Sequence, residues 1–355
     1  MNLWRGIPVF GLAGMILIAG MRIPFPGIDI AAFSQQIASS GDAAARLSIF
    51  ALGLMPIYTA LTIGELGRLV FTRGDEEADR PGFFASFVVG LIAVGLAALQ
   101  AGGIANALVT YGIASGDPQS FIATTIASCV GATAVALVLC HWVRLPGFRN
   151  GFWALWALLF LLGVCREAIG AFEATRTGAF SVIDWLIVLA QFAGSIAAAI
   201  VMAALWRSIL KPQECEDDVE PRDILIWPSV LASAVIGYIF MPLAFVAPDI
   251  MSSLTGGVLQ ITLLVVASLL IPLFVMVYAK RAGMLMRQGA PVKAVLVIIA
   301  AIQIVLIISG GLLNLYLLLP VNLSAIALMA VTVSALGLGK EALSSYRRAP
   351  AGQAV

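Results

Sequence analysis

The chain alternates long apolar runs with short polar segments, and this pattern predicts ten membrane-spanning helices. Most runs have about the 20 residues that an α-helix needs to cross the hydrocarbon core of a bilayer. The predicted spans are residues 4–21, 47–70, 83–104, 121–143, 152–169, 182–210, 224–246, 256–279, 294–319 and 323–338. The arm between the first two spans, about residues 28–46, is too polar to face lipid. We expect the arm to lie outside the bilayer or in a wet cavity.

Composition and charge support an all-α polytopic membrane protein. Of the 355 residues, 61% are hydrophobic and 11% are charged, against about 25% charged residues in soluble domains. With the N-terminus inside, sixteen of the 20 Lys and Arg residues fall on the inner side. The four on the outer side are Arg22, Arg46, Arg166 and Arg176. The positive-inside rule therefore predicts that both termini lie in the cytoplasm.

Ten spans divide into two halves of five. Because five is an odd number, the two halves would cross the membrane in opposite orientations. The predicted division is an N-terminal half of residues 1–180, a C-terminal half of residues 181–340 and a cytoplasmic tail of residues 341–355. Inverted repeats of this kind enclose a pathway between the halves. The two halves share no convincing sequence similarity, so this prediction rests on the number of spans.

The chemistry of an enzyme is missing from the sequence. No predicted span carries an Asp, Glu, Lys, Arg or His residue near its middle, which also disfavours an ion-coupled transporter. The chain offers no catalytic triad, no paired carboxylates and no cysteine spacing typical of a metal site, so we predict no enzyme activity, metal or cofactor. Pro56 and Pro228 lie inside predicted spans two and seven, where they predict kinks beside an interior cavity or simply against a neighbouring helix.

Four motifs resemble the SecY family, the protein-conducting channel of the bacterial inner membrane. IPFPGID at residues 23–29 and SIFALGLMP at residues 48–56 are similar to the plug and the following gate helix of that family. GFRNG at residues 147–151 resembles the turn into the fifth helix, and IWPSVLAS at residues 226–233 resembles the start of the seventh. The resemblance implies ten helices, arranged as two inverted five-helix halves around a central pore.

The resemblance also implies roles for individual residues. A ring that closes the pore would consist of Leu54, Tyr58, Phe152, Trp156, Trp227 and Ala327. The plug would include Ile28, Asp29, Ile30, Phe33 and Ile37. Pro56 and Pro228 would kink the two gate helices. For the three aromatic residues of spans five and seven, an aromatic belt at the membrane interface is the alternative.

The implied function is translocation or lateral insertion of polypeptides, and the implied partners are polypeptide clients, the lipid bilayer and a SecE-like small membrane subunit. In the family, long basic loops dock the ribosome or the SecA motor. Here the two loops are reduced to residues 212–223 and about 280–293, and the first carries six acidic residues, which argues against such docking and against nucleic-acid partners. The reduced loops suggest a narrow client set or reliance on another partner. The alternatives are a small-molecule transporter and a non-conducting scaffold that keeps the fold.

Overall fold

The protein is all-helical over the residues that its structure describes. The structure is a computed structural model that describes residues 3–29, 47–71, 83–143, 145, 151–210, 221–246, 256–281, 290–317, 324 and 326–336. Within these ranges, turns, bends and two isolated antiparallel bridges join the helices; Pro24 pairs with Ser48, and Ile28 pairs with Ala114. The all-α fold class is confirmed.

Over the described residues, ten helices follow the order of the ten predicted spans. They are α1 Leu3–Gly20, α2 Met55–Phe71, α3 Phe83–Thr110, α4 Pro118–Trp142, α5 Gly151–Arg176, α6 Val182–Leu210, α7 Pro221–Val246, α8 Gly256–Arg281, α9 Ala290–Leu317 and α10 Ile326–Leu336. Six of them, α3 to α6, α8 and α9, are long and apolar enough to cross a membrane. Shorter apolar helices occupy the positions of spans one, seven and ten. The chain is therefore a multi-pass membrane protein.

The helices form two compact units, which divide inside α5. The first unit is Met1–Trp156, in which α3 packs against α2 and α4, and α1 packs against α4. The second unit is Ala157–Val355, in which α8 packs against α7 and α9, and α6 packs against α9. These units reflect packing density, whereas the predicted boundary at residue 180 reflects helix orientation. The division into inverted halves stays a prediction.

The start of α2 differs from the sequence-based prediction. Residues 47–54 form successive turns, with hydrogen bonds from Ala51 N to Ser48 O (2.8 Å) and from Gly53 N to Phe50 O (2.8 Å), and α2 begins only at Met55. Pro56 consequently lies in the first helical turn, where a missing N–H leaves no helical bond unmade. The predicted kink at Pro56 inside span two was wrong.

Two helices continue beyond the ends predicted from hydropathy. α3 was expected to end at residue 104 but reaches Thr110, and α5 was expected to end at residue 169 but reaches Arg176. Polar side chains in the extended parts bond to carbonyls one turn earlier, as Asn106 Nδ2 does to Gly102 O at 2.8 Å. Gly112 then ends α3 with a φ of 69°.

Candidate functional site

The two ends of the polar arm are joined to each other by the backbone. Phe25 N donates to Leu47 O at 3.1 Å, and Ile49 N donates to Ile23 O at 2.9 Å. Ser48, which lies between Leu47 and Ile49, is fully buried. The chain thus leaves for the arm and returns from it at one place.

A second set of bonds ties the start of the arm to the loop between α3 and α4. Gly27 O accepts hydrogen bonds from both Ser115 N and Ser115 Oγ, each at 2.8 Å, and Asp29 N donates to Ile113 O at 3.0 Å. Gly27 has a φ of 83°, a conformation that favours glycine. We call residues 23–29, 47–49 and 113–115 together the arm anchor.

Burial of apolar side chains reinforces the arm anchor. Phe25, Ile28 and Leu47 lie in one core cluster with Leu108 of α3 and Phe121 of α4. Burying a large apolar side chain contributes about 1.5–3 kcal/mol. The arm therefore begins and ends on a fixed base that belongs to α3 and α4.

The structure describes two of the five predicted plug residues. Ile28 is buried in the arm anchor, whereas the side chain of its neighbour Asp29 is exposed. Ile30, Phe33 and Ile37 lie outside the described residues. Ile28 is therefore part of the base of the arm, and the role of the arm as a plug stays a prediction.

Four aromatic side chains of the first unit form a continuous chain of ring contacts. Tyr58 of α2 stacks on Phe152 of α5, with ring centroids 6.4 Å apart and an interplanar angle of 28°. Trp153 then contacts Phe152 edge to face at 5.3 Å and Trp156 edge to face at 5.7 Å. Leu54 lies one turn before Tyr58, whose N–H donates to Leu54 O at 2.9 Å. Four predicted ring residues thus lie on or beside one aromatic chain.

Trp153 joins this aromatic chain, although the sequence analysis did not select it. The family motif assigns Phe152 and Trp156, which are one helical turn apart, and passes over the residue between them. The signal that could have identified Trp153 is the density of large aromatic residues at the start of α5. Edge-to-face pairs contribute about 0.5–1.5 kcal/mol beyond the area that they bury, so Trp153 helps to fix its two neighbours.

Gly151 determines where the aromatic start of α5 lies. A β-carbon at Gly151 would collide with the carbonyl oxygens of Cys140 and Val143 at the end of α4. Only glycine allows α5 to begin this close to α4. Phe152 follows directly and is fully buried. The last glycine of the GFRNG motif therefore has a steric role in placing a predicted ring residue.

The other two predicted ring residues belong to the second unit. Trp227 is half-buried in α7, directly before Pro228, and Ala327 is buried in α10. Pro228 lies inside α7, in contrast to Pro56 at the start of α2. Closure of a ring by residues of both units stays a prediction.

Metal ligands do not cluster in the part of the chain that the structure describes. No group of three or more His, Cys, Asp or Glu residues there could hold a metal ion. The arm anchor and the aromatic chain are held together by packing and hydrogen bonding.

Known proteins share both sequence and fold with this chain. No family model matches it. The protein translocase subunit SecY of Rickettsia conorii is 29% identical over 213 residues, which cover 54% of this chain and 49% of that protein. The SecY subunit of Pseudomonas aeruginosa is 28% identical over 217 residues, covering 56% and 48% respectively. The matched part of the chain thus spans about half the length of these curated relatives.

Solved structures share the fold over almost the whole chain. A SecY structure, described in terms of a plug domain that stabilises the closed state of the translocation channel, has a TM-score of 0.56 at 14% identity and covers 97% of this chain and 94% of its own. A protein-conducting channel and Sec61 of the canine ribosome-channel complex each have a TM-score of 0.55 with the same identity and coverage. The chain is thus similar to SecY proteins in sequence over about half of its length, and it shares the fold of SecY and Sec61 channels over almost all of it.

Proposed function

We propose that the chain is a protein-conducting channel of the bacterial inner membrane, which translocates polypeptides or inserts them laterally into lipid. The observation that carries the proposal is the likeness to translocation channels over 97% of the chain. It is supported by the relatives in two bacterial genera, which are protein translocase subunits. Fold alone does not fix function, so the proposal also needs residues that could form a seal and a gate.

The arm anchor supplies one part of a gate. A plug has to leave the pore and return to the same place, which requires a movable segment on a fixed base. The described residues on either side of the arm, up to Asp29 and from Leu47, belong to such a base, since Phe25 pairs with Leu47 and Gly27 pairs with Ser115. We propose that an incoming client displaces the arm while the anchor stays folded.

The aromatic chain supplies the seal. Tyr58, Phe152 and Trp156 are broad, rigid side chains, and in our proposal they close the pore together with Leu54, Trp227 and Ala327. An apolar constriction excludes ions and water because neither is solvated there. A moving polypeptide would separate α2 from α7, and its apolar segments would then partition into lipid.

The charge distribution supports the proposed orientation and the proposed independence from docking at residues 212–223. Sixteen of 20 cationic residues on the inner side support cytoplasmic termini and transport from the cytoplasm outward. We propose a SecE-like small membrane subunit as a partner. Because residues 212–223 carry six acidic residues, we propose a narrow client set that does not depend on docking of the ribosome or SecA at this loop.

Depletion of the chain in its native cells tests this function. Pulse labelling should show a defined set of membrane or exported proteins that stay sensitive to protease on the cytoplasmic side, and wild-type protein should restore their transport. A Leu91→Ala variant is the matched control, because Leu91 is an exposed residue of α3 and should also restore transport. Unchanged protein export together with altered uptake of a solute would contradict the proposal and favour a small-molecule transporter.

A further inference from the structure

A buried glutamine of α9 bridges the point where α7 loses a backbone hydrogen bond. Pro228 has no N–H, so the carbonyl of Ile224, four residues earlier, has no helical donor. Gln303 Nε2 donates to Ile224 O at 3.2 Å and to Leu225 O at 3.1 Å. The amide of Gln303 thus replaces the donor that the proline removes.

The same side chain also holds the residue after the proline. Ser229 Oγ donates to Gln303 Oε1 at 2.9 Å. Gln303 and Ser229 are both 0% exposed, and all of these residues belong to the second unit. One amide group therefore bonds to α7 on both sides of Pro228.

Hydrogen bonds that bridge a proline within a helix have a different effect from an ordinary hydrogen bond between helices. A helix bends most readily at a proline, because the backbone there is held by one hydrogen bond fewer. One planar amide group, which donates two hydrogen bonds and accepts the third, ties the residues before Pro228 to the residue after it. The residue directly before Pro228 is Trp227, a predicted ring residue.

We propose that Gln303 is a positioning residue that clamps α7 across Pro228 and so keeps Trp227 in its resting position. The clamp deepens the proposed function and rests on it, because releasing the clamp would let the start of α7 move and would favour the open channel. The sequence carries a signal for it: Gln303 is the only polar residue between positions 294 and 308.

A double-mutant cycle tests the clamp without any transport assay. Gln303→Leu removes the donor, and Pro228→Ala restores an N–H for Ile224 O. We expect Gln303→Leu to shift the unfolding equilibrium by about tenfold or more in the wild-type background, and by clearly less in the Pro228→Ala background. Independent effects of the two substitutions would overturn the clamp.

Resting conductance in planar bilayers tests the effect on gating. Gln303→Leu should raise it about tenfold, and addition of Pro228→Ala should lower it again. The matched control is Gln260→Leu, because Gln260 Nε2 also donates to a carbonyl of α9, Gly311 O at 3.1 Å, where no proline is involved. An equal rise in conductance for Gln260→Leu would show general loosening and would overturn the positioning role.

Further variants keep these results decisive. If Gln303→Leu does not fold, Ser229→Ala removes one of the three bonds and should raise conductance by a smaller factor in the same direction. If neither the wild-type protein nor a variant of a predicted ring residue, such as Tyr58→Gly, ever conducts or transports, the proposed function fails. The double-mutant cycle still decides whether the clamp exists. A conducting wild type with unchanged Gln303→Leu and Ser229→Ala variants overturns the clamp alone.

Discussion

The arm anchor depends on a glycine that no other residue can replace without cost, and Gly27→Ala is its most informative perturbation. Gly27 has a φ of 83°, and its carbonyl accepts both hydrogen bonds from Ser115. A β-carbon at this position would lie 3.2 Å from Phe121 Cδ2 in the core beneath the anchor. The substitution therefore strains the backbone and crowds a buried ring at once.

The two effects have separate magnitudes. A left-handed backbone conformation costs an L-residue about 1–2 kcal/mol. Crowding at Phe121 adds about 1 kcal/mol, because that ring is buried and has to move by a few tenths of an ångström. We expect Gly27→Ala to lower the free energy of unfolding by about 2–3 kcal/mol, which is about a 30- to 150-fold shift of the equilibrium.

The assay is denaturant unfolding of the purified protein in detergent micelles, with Gly112→Ala as the matched control. Gly112, in the α3–α4 loop, also has a positive φ, of 69°. A β-carbon at Gly112 would meet nothing within 4 Å. In this control, only the strain of the backbone should lower the free energy of unfolding, by about 1–2 kcal/mol. Equal losses for the two variants would refute the crowding argument, and no loss for Gly27→Ala would refute the account of the anchor.

Three further predictions concern the anchor and the aromatic chain. Ser115→Ala removes the side-chain bond to Gly27 O at an exposed position and should cost about 0.5–1 kcal/mol in the same unfolding assay; a larger loss than that of Gly27→Ala would contradict this. Gly151→Ala forces its β-carbon against the carbonyl of Cys140 and should cost about 2 kcal/mol or more, so wild-type stability would show that α5 can shift freely. Tyr58→Gly should make resting membranes leaky to small ions, and unchanged conductance would exclude Tyr58 from the seal.

Hydropathy predicted the order of the helices that the structure describes, because each span has to satisfy its backbone hydrogen bonds within itself. The ends were less predictable, since they depend on local bonds rather than on hydropathy. α2 starts at Met55 because turns occupy the apolar residues before it, and α5 continues to Arg176 although its last residues are polar. An apolar segment need not be helical when it is buried against other helices.

The candidate site was predictable where a motif carried it. Tyr58 and Phe152 were selected from two separate motifs, and the structure stacks their rings. Trp153 and Gln303 were not selected, because their roles depend on contacts between helices that a linear pattern does not specify. Gly27 belonged to a recognised motif, but its structural role was not predictable from the sequence. Its carbonyl accepts two hydrogen bonds from Ser115, a residue that is distant in the sequence.

Photo-crosslinking in living cells from position 58 tests most directly whether a polypeptide passes the aromatic chain. A photoreactive residue at position 58 should crosslink to newly made polypeptides, which mass spectrometry can identify. The same residue at position 91, exposed on α3, should not. Crosslinks to new polypeptides from position 58 alone are the result that our account predicts. Crosslinks from position 58 only to helices of the protein itself, with normal expression and insertion, would contradict the channel.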